Sequence, residues 1–209
     1  MNFSQIKNII FDLGNVIINI DFALTYQAFE KLSSENLDFV YEKFNKLKLW
    51  EQYELGELSN QEFIDLLRKE LKITVEDNQI IDAWNALLLD IPQKRIELMK
   101  KLAKKYRLFI LSNTSELHII DVNRILFEQT GVRDLKNLVE TVFYSYEMKL
   151  RKPDTTIYKE VLESAKIVAE ETLFLDDNFD NIVSAKSIGL HCIHVTDKDM
   201  CDYLEDYLD

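Results

Sequence analysis

The stretch IIFDLGNVIINID, residues 9–21, decides the reading of this chain. A short apolar run ends at one acidic residue, Asp12, and two positions later stands Gly14. An uninterrupted apolar run of this length fits a parallel strand buried on both faces, whose polar end opens into a site. The pattern recurs three times. RLFILSN (107–113) ends in Ser-Asn, TLFLDDN (172–178) passes into two acids, and LHCIHVTD (190–197) ends in Thr-Asp. Between these runs lie helical patterns: KRIELMKKLAKKY (94–106), TTIYKEVLESAKIV (155–168) and NIVSAKSIG (181–189), the last with Gly189 as its expected cap. Strands alternating with helices predict an α/β fold, a Rossmann-like parallel sheet covered on both faces. Ligands bind such sheets at the carboxyl ends of the strands. The polar strand ends therefore converge in space.

Residues 21–90 break the pattern. ALTYQAFEKLSS, NLDFVYEKFNKLKLW, SNQEFIDLLRKEL and VEDNQIIDAWNALLL all read as amphipathic helices, one of them starting at Ser59-Asn60 with Glu62 in its first turn. Pro92 disfavours a helical residue before it and marks the end of this insert. The expected organisation is a core of residues 1–20 and 91–209 with an inserted helical cap, residues 21–90. The insert's aromatic residues are expected to form its core, with Tyr53 and Glu54 as candidates for substrate contact.

The chain has 209 residues and a net charge of −12, so its overall field repels nucleic acid and anionic membranes. Two cysteines without metal or redox spacing fit free thiols in a reducing cytoplasm. No signal peptide is expected at MNFSQIKNIIF, and no run reaches the ~20 apolar residues of a membrane helix. His191 and His194 would point to opposite faces of a strand. His118 is expected on a helix surface or at the site rim. The tail DMCDYLEDYLD repeats Tyr-Leu at helical spacing, which fits a helix docked on the core. The expected state is a monomer or weak homodimer.

The collected strand-end groups are Asp12, Ser112 with Asn113, Asp176 with Asp177, and Lys152 in RKPD before a helix that Pro153 could start. This set suits phosphoryl transfer to a carboxylate. Two anions must meet, so a divalent metal must lie between them, and Mg²⁺ prefers oxygen ligands. Asp12, Asp177 and the Gly14 carbonyl can supply these. Lys152 can neutralise phosphate charge, and Ser112 and the Asn113 N–H can hold its oxygens. Asp12 then attacks phosphorus and forms an acyl phosphate that water hydrolyses.

IIFDLGNV, LFILSNT, RKPD and LFLDDNFDN together resemble the four ordered motifs of the haloacid dehalogenase superfamily, and the insert resembles its helical cap. Within the insert, WEQYELGELSNQEF resembles the substrate-facing loop. The D-L-G-N-V form is similar to bacterial phosphatases of sugar phosphates, including glucose-1-phosphate. The resemblance implies that Asp12 is nucleophile and metal ligand, that Gly14 offers its carbonyl, and that Ser112, Asn113 and Lys152 bind phosphate. It implies that Asp177 binds Mg²⁺ with Asp176 beside it, and that Asn181 braces their loop. It further implies an Mg²⁺-dependent phosphatase of a small phosphorylated metabolite, such as a sugar-1-phosphate.

The departure is Gly14, where most of the superfamily's phosphatases carry an acid that protonates the leaving group. Such catalysis is typically worth about 10²–10⁴-fold. Asn15 can donate a hydrogen bond to the substrate but has no proton to transfer. A cap acid such as Glu54 could substitute, the substrate could have a good leaving group, or the protein could be a slow or non-catalytic phosphate-binding regulator. A 2-haloacid dehalogenase shares the nucleophile but needs no metal, which leaves Asp176 and Asp177 unexplained.

Overall fold

The computed structural model describes residues 5–205. Tyr207-Leu208 of the tail and the first four residues of the N-terminus lie outside that range. Five parallel strands form one sheet in the order β3-β2-β1-β4-β5: β1 is Asn8–Phe11, β2 Arg107–Ser112, β3 Thr141–Tyr144, β4 Thr172–Asp176 and β5 His191–His194. Register pairs Phe11 with Ile110 on one side and with Leu175 on the other. The chain order turns at β1. The ends of β1, β2 and β4 therefore border one crevice, the usual place for a ligand in such sheets.

Alternate residues of each strand enter different cores, as the two-residue period requires. Ile9, Phe11, Leu108, Ile110, Leu173 and Leu175 pack against α6 (Gln93–Leu102), α7 (Glu116–Thr130) and α11 (Met200–Leu204). Ile10, Phe109, Leu111 and Phe174 pack against α9 (Thr155–Ala165) and α10 (Phe179–Ser187). Burial on both faces explains why the strands read as unbroken apolar runs. Gly189 follows α10 with φ +94°, a left-handed turn that glycine adopts without strain.

Five helices lie between β1 and α6: α1 (Phe22–Leu32), α2 (Leu37–Leu47), α3 (Leu49–Glu54), α4 (Asn60–Glu70) and α5 (Asp77–Asn85). Their buried faces form a third core around Phe29, Phe44, Phe63, Leu67 and Trp84, joined by Leu117 of α7. The stretch read as one helix, NLDFVYEKFNKLKLW, is two. Lys48 takes a left-handed conformation, φ 45°, and breaks it. The helix predicted at Ser59-Asn60 has a full capping box, with Ser59 and Glu62 exchanging bonds.

Two core elements escaped the sequence reading. Strand β3 has only four residues. In α7 the apolar stripe is blurred by Ile120 and Phe127, which face solvent. Asp154, rather than Pro153, stands at the start of α9 and accepts from Thr156 N. The short helix α8 (Ser145–Met148) follows β3.

Phe174 is fully buried in β4, edge-on to Tyr158 and beneath the Lys152 ammonium. Phe174→Ala is expected to destabilise the protein by about 3–5 kcal/mol. Urea unfolding followed by far-UV circular dichroism reads this directly, and a change below about 1 kcal/mol would contradict the packing described.

Candidate active site

The site is built around one buried cation. The Lys152 ammonium donates to Asp12 Oδ1 at 2.8 Å, Asp176 Oδ2 at 2.7 Å and the Leu111 carbonyl at 3.0 Å. Asp12 follows β1, Asp176 ends β4 and Leu111 lies in β2, so one side chain ties three strand ends together. Burial opposes the Lys152 charge, but Asp12 and Asp176 outweigh it and hold its pKa above the usual lysine value. The Lys152 backbone is locked by Asn113: Lys152 N donates to Asn113 Oδ1 at 2.9 Å, and Asn113 Nδ2 donates to the Lys152 carbonyl at 2.8 Å.

Asp176 is held by Asn181, whose Nδ2 lies 3.0 Å from both carboxylate oxygens, and by the backbone N–H of Asn178. Asp177 accepts from Asn15 Nδ2 at 3.0 Å. Asn15 adopts φ 54°, a left-handed conformation that asparagine tolerates better than most residues. Its side-chain Oδ1 accepts from the Ile20 N–H at 3.1 Å, which closes the loop after β1.

The carboxylates of Asp12, Asp176 and Asp177 present oxygens within 4.8 Å of one another. Lys152 is bonded to two of them. Burial first, then the neighbouring Asp176 and Asp177, push the Asp12 carboxyl up to about 7 despite Lys152. Asp177 is also raised, mainly by burial. Three acids against one ammonium leave negative charge that a divalent cation would balance, and an all-oxygen donor set suits a hard ion such as Mg²⁺. The residues fit that group.

Asp12, Gly14, Glu54, Ser112, Asn113, Lys152 and Asp177 line one cavity of about 440 Å³. Asn15 lies behind it through Asp177, and Asp176 lies beneath it, fully buried. Glu54 reaches the cavity from α3, where Arg151 Nε and Nη2 donate to its Oε2 at 3.2 and 2.9 Å.

Two expectations need correction. Tyr53 is buried, its ring stacked 4.0 Å from Phe63 and its hydroxyl bonded to Asn60, and it does not line this cavity. Of the two places expected for His118, the exposed helix surface is wrong and the site is right: His118 is among the residues that line the cavity. It is buried, stacked on Trp84 at 4.5 Å, with Nε2 3.3 Å from the Trp84 carbonyl. The aromatic wall of the cavity was also missed: Phe22, Tyr26, Phe44, Trp50 and Trp84 all contribute to it. Helical periodicity assigned them to the insert's core, and it cannot tell a buried face from one that borders a cavity. Phe22 is 59% exposed, so it belongs to the mouth.

Over residues 6–189 the chain matches the haloacid dehalogenase-like hydrolase family. The chain belongs to that family. It is 30% identical over 189 residues to the D-ribitol-5-phosphate phosphatase of Bacteroides thetaiotaomicron, covering 88% of this chain and 89% of the relative. A family enzyme of B. thetaiotaomicron, solved with magnesium and inorganic phosphate, has a TM-score of 0.87 at 34% identity, covering 95% of this chain and 98% of that one. A family hydrolase from Porphyromonas gingivalis has a TM-score of 0.87 at 26% identity, with 98% of both chains covered. In this hydrolase the parallel sheet predicted from the sequence is present, with β3 added at its edge.

Burial depresses the His118 imidazole to about 4. A base with a lowered folded pKa contributes its full stability above its unfolded pKa of about 6.5, and loses it as pH falls toward 4. The full difference is worth about 3 kcal/mol. Asp12, raised to about 7, acts in the opposite sense over this range and is common to both proteins, so from pH 7 to pH 5 the urea midpoint of the wild type should drop relative to that of His118→Phe. Equal slopes would show that His118 does not carry this proton linkage.

Proposed function

We propose that the protein is a Mg²⁺-dependent phosphatase of small phosphorylated metabolites, acting through an aspartyl phosphate on Asp12. The observation that carries this reading is the Asp12–Lys152–Asp176 arrangement, with Asp177 beside it, opening into the cavity that Ser112 and Asn113 line. Asp12, Asp177 and the Gly14 backbone would hold the metal, with Asp176 supporting them. Bound there, Mg²⁺ would neutralise phosphate charge and let one anion approach another.

Lys152 fixes Asp12 through Oδ1 and leaves Oδ2 to attack phosphorus in line with the ester oxygen. Ser112 and Asn113, at the end of β2, would receive the remaining phosphate oxygens. Water then hydrolyses the acyl phosphate and restores Asp12. Residues 21–90 would act as a cap over the core of residues 1–20 and 91–209. Its ring faces can stack on a carbon skeleton while Asn45, Glu54 and Arg151 meet hydroxyls. This supports a sugar or alditol phosphate, the class named for the ribitol phosphate relative. The free thiols of Cys192 and Cys201 support a cytoplasmic setting. Among the described residues no helix is long and apolar enough to cross a membrane.

Phosphate release from a panel of sugar and alditol phosphates tests the reading. Activity should vanish with a chelator, return with Mg²⁺, and fall by more than about 10³-fold in Asp12→Asn. Mg²⁺-dependent phosphate binding without turnover of any ester would instead favour the regulatory reading that Gly14 suggests.

A further inference from the structure

We propose that Glu54 protonates the leaving group when Asp12 attacks, and takes the proton back from water in the second half of the reaction. The proposal rests on the phosphatase reading above. The loop after β1 carries no acid for this task. Position 14 is glycine, and a Cβ placed there would stand 2.7 Å from the Ile20 Cδ1 methyl. The space beside Gly14 is thus already held by an apolar group.

The other proton carriers of the cavity are committed elsewhere. Lys152 is bonded to three acceptors. Arg151 does not release a proton in proteins. His118 is neutral near pH 7 because burial holds it near 4, and its Nε2 is spent on the Trp84 carbonyl. Burial raises the Tyr26 phenol further above its already high value. Asp12 and Asp177 serve the phosphoryl group and its metal. Glu54 is the remaining acid among the described residues that line the cavity.

Its placement fits the task. Glu54 comes from the insert but is fastened to the core by Arg151, the residue next to Lys152, whose ammonium touches the nucleophile. Both Arg151 bonds go to Oε2, so Oε1 is left to carry the proton. The charged groups around it are Arg151, Glu51 and Lys152, with Lys48 paired to Glu51. Burial favours its neutral form and outweighs Arg151, so its pKa lies above the ordinary glutamate value. Arg151 remains in place to stabilise the carboxylate once the proton has gone.

The step balances. Asp12 Oδ2 bonds to phosphorus, the ester P–O bond breaks, and its electron pair takes the proton from Glu54 Oε1. Water then attacks the acyl phosphate and gives its proton to Glu54. The P–O bond to Asp12 breaks, and both carboxyl groups return to their starting states.

The test compares Mg²⁺-loaded wild type and Glu54→Gln on D-ribitol 5-phosphate, phenyl phosphate and 4-nitrophenyl phosphate. The loss in kcat/KM should grow as the leaving group becomes more basic, from under about 10-fold on the nitrophenyl ester to about 10²–10³-fold on the alkyl ester. On 4-nitrophenyl phosphate the variant should show a burst of nitrophenol and accumulate phosphorylated protein, because the second half lacks its base. Turnover of the nitrophenyl ester also reports a folded variant. An equal loss on all esters that wild type hydrolyses, with no burst, would overturn the proposal and leave Glu54 a binding group. No turnover of any ester by wild type, or full turnover by Asp12→Asn, would sink the phosphatase reading itself and this proposal with it.

Discussion

The buried ammonium of Lys152, shared between Asp12 and Asp176, is the interaction on which the rest of the site depends. Removing such a charge from water costs several kcal/mol, and it is tolerated only where opposite charges and hydrogen bonds replace the solvent. Here two carboxylates and the Leu111 carbonyl do so, while the Phe174 ring lies 5.5 Å from the ammonium. Each partner lies in, or directly after, a different strand of the sheet. The ion cluster therefore fixes the mutual positions of the strand ends, and the sheet in turn fixes the cluster.

That cluster is built with too much negative charge. Three carboxylates face one lysine, and Asp12 is raised toward neutrality by burial first and by Asp176 and Asp177 after it. An arrangement that served stability alone would pair each acid or replace it with apolar side chains. The surplus makes sense as a place kept for a cation, and it links stability of the site to what it binds. The asparagines around it have a complementary task. Asn15, Asn113, Asn178 and Asn181 hold the acids and the lysine loop without adding charge.

The insert meets this machinery from the other side. Its aromatic core does not stop at its own helices. Trp84 stacks on His118 and donates to Ser115 at the start of α7, and Leu117 completes the cluster. A second tether runs from Glu51 and Glu54 of α3 to Arg151. The cavity is thus walled by aromatic rings above and by ionic groups below, and the Arg151 contacts join the two. The two kinds of wall meet at that seam, where Glu54 of α3 pairs with Arg151, the neighbour of Lys152 in the chain.

The sequence by itself determined the sheet and the chemistry-bearing residues at its rim. Doubly buried parallel strands need continuous apolar runs, so IIF, LFIL and TLFL declare themselves, and the residue after each run stands at the crevice end of its strand. Asp12, Ser112 and Asp176 were legible for that reason. Short or blurred elements were not: β3 is four residues long, and α7 shows apolar residues to solvent. Only the tertiary structure decided which acids Lys152 pairs with, that Ile20 fills the space beside Gly14, and that Arg151 holds Glu54 at the cavity. These contacts join residues far apart in the chain or follow from how a loop closes. Periodicity reports which face of an element is buried, but not what is packed against it.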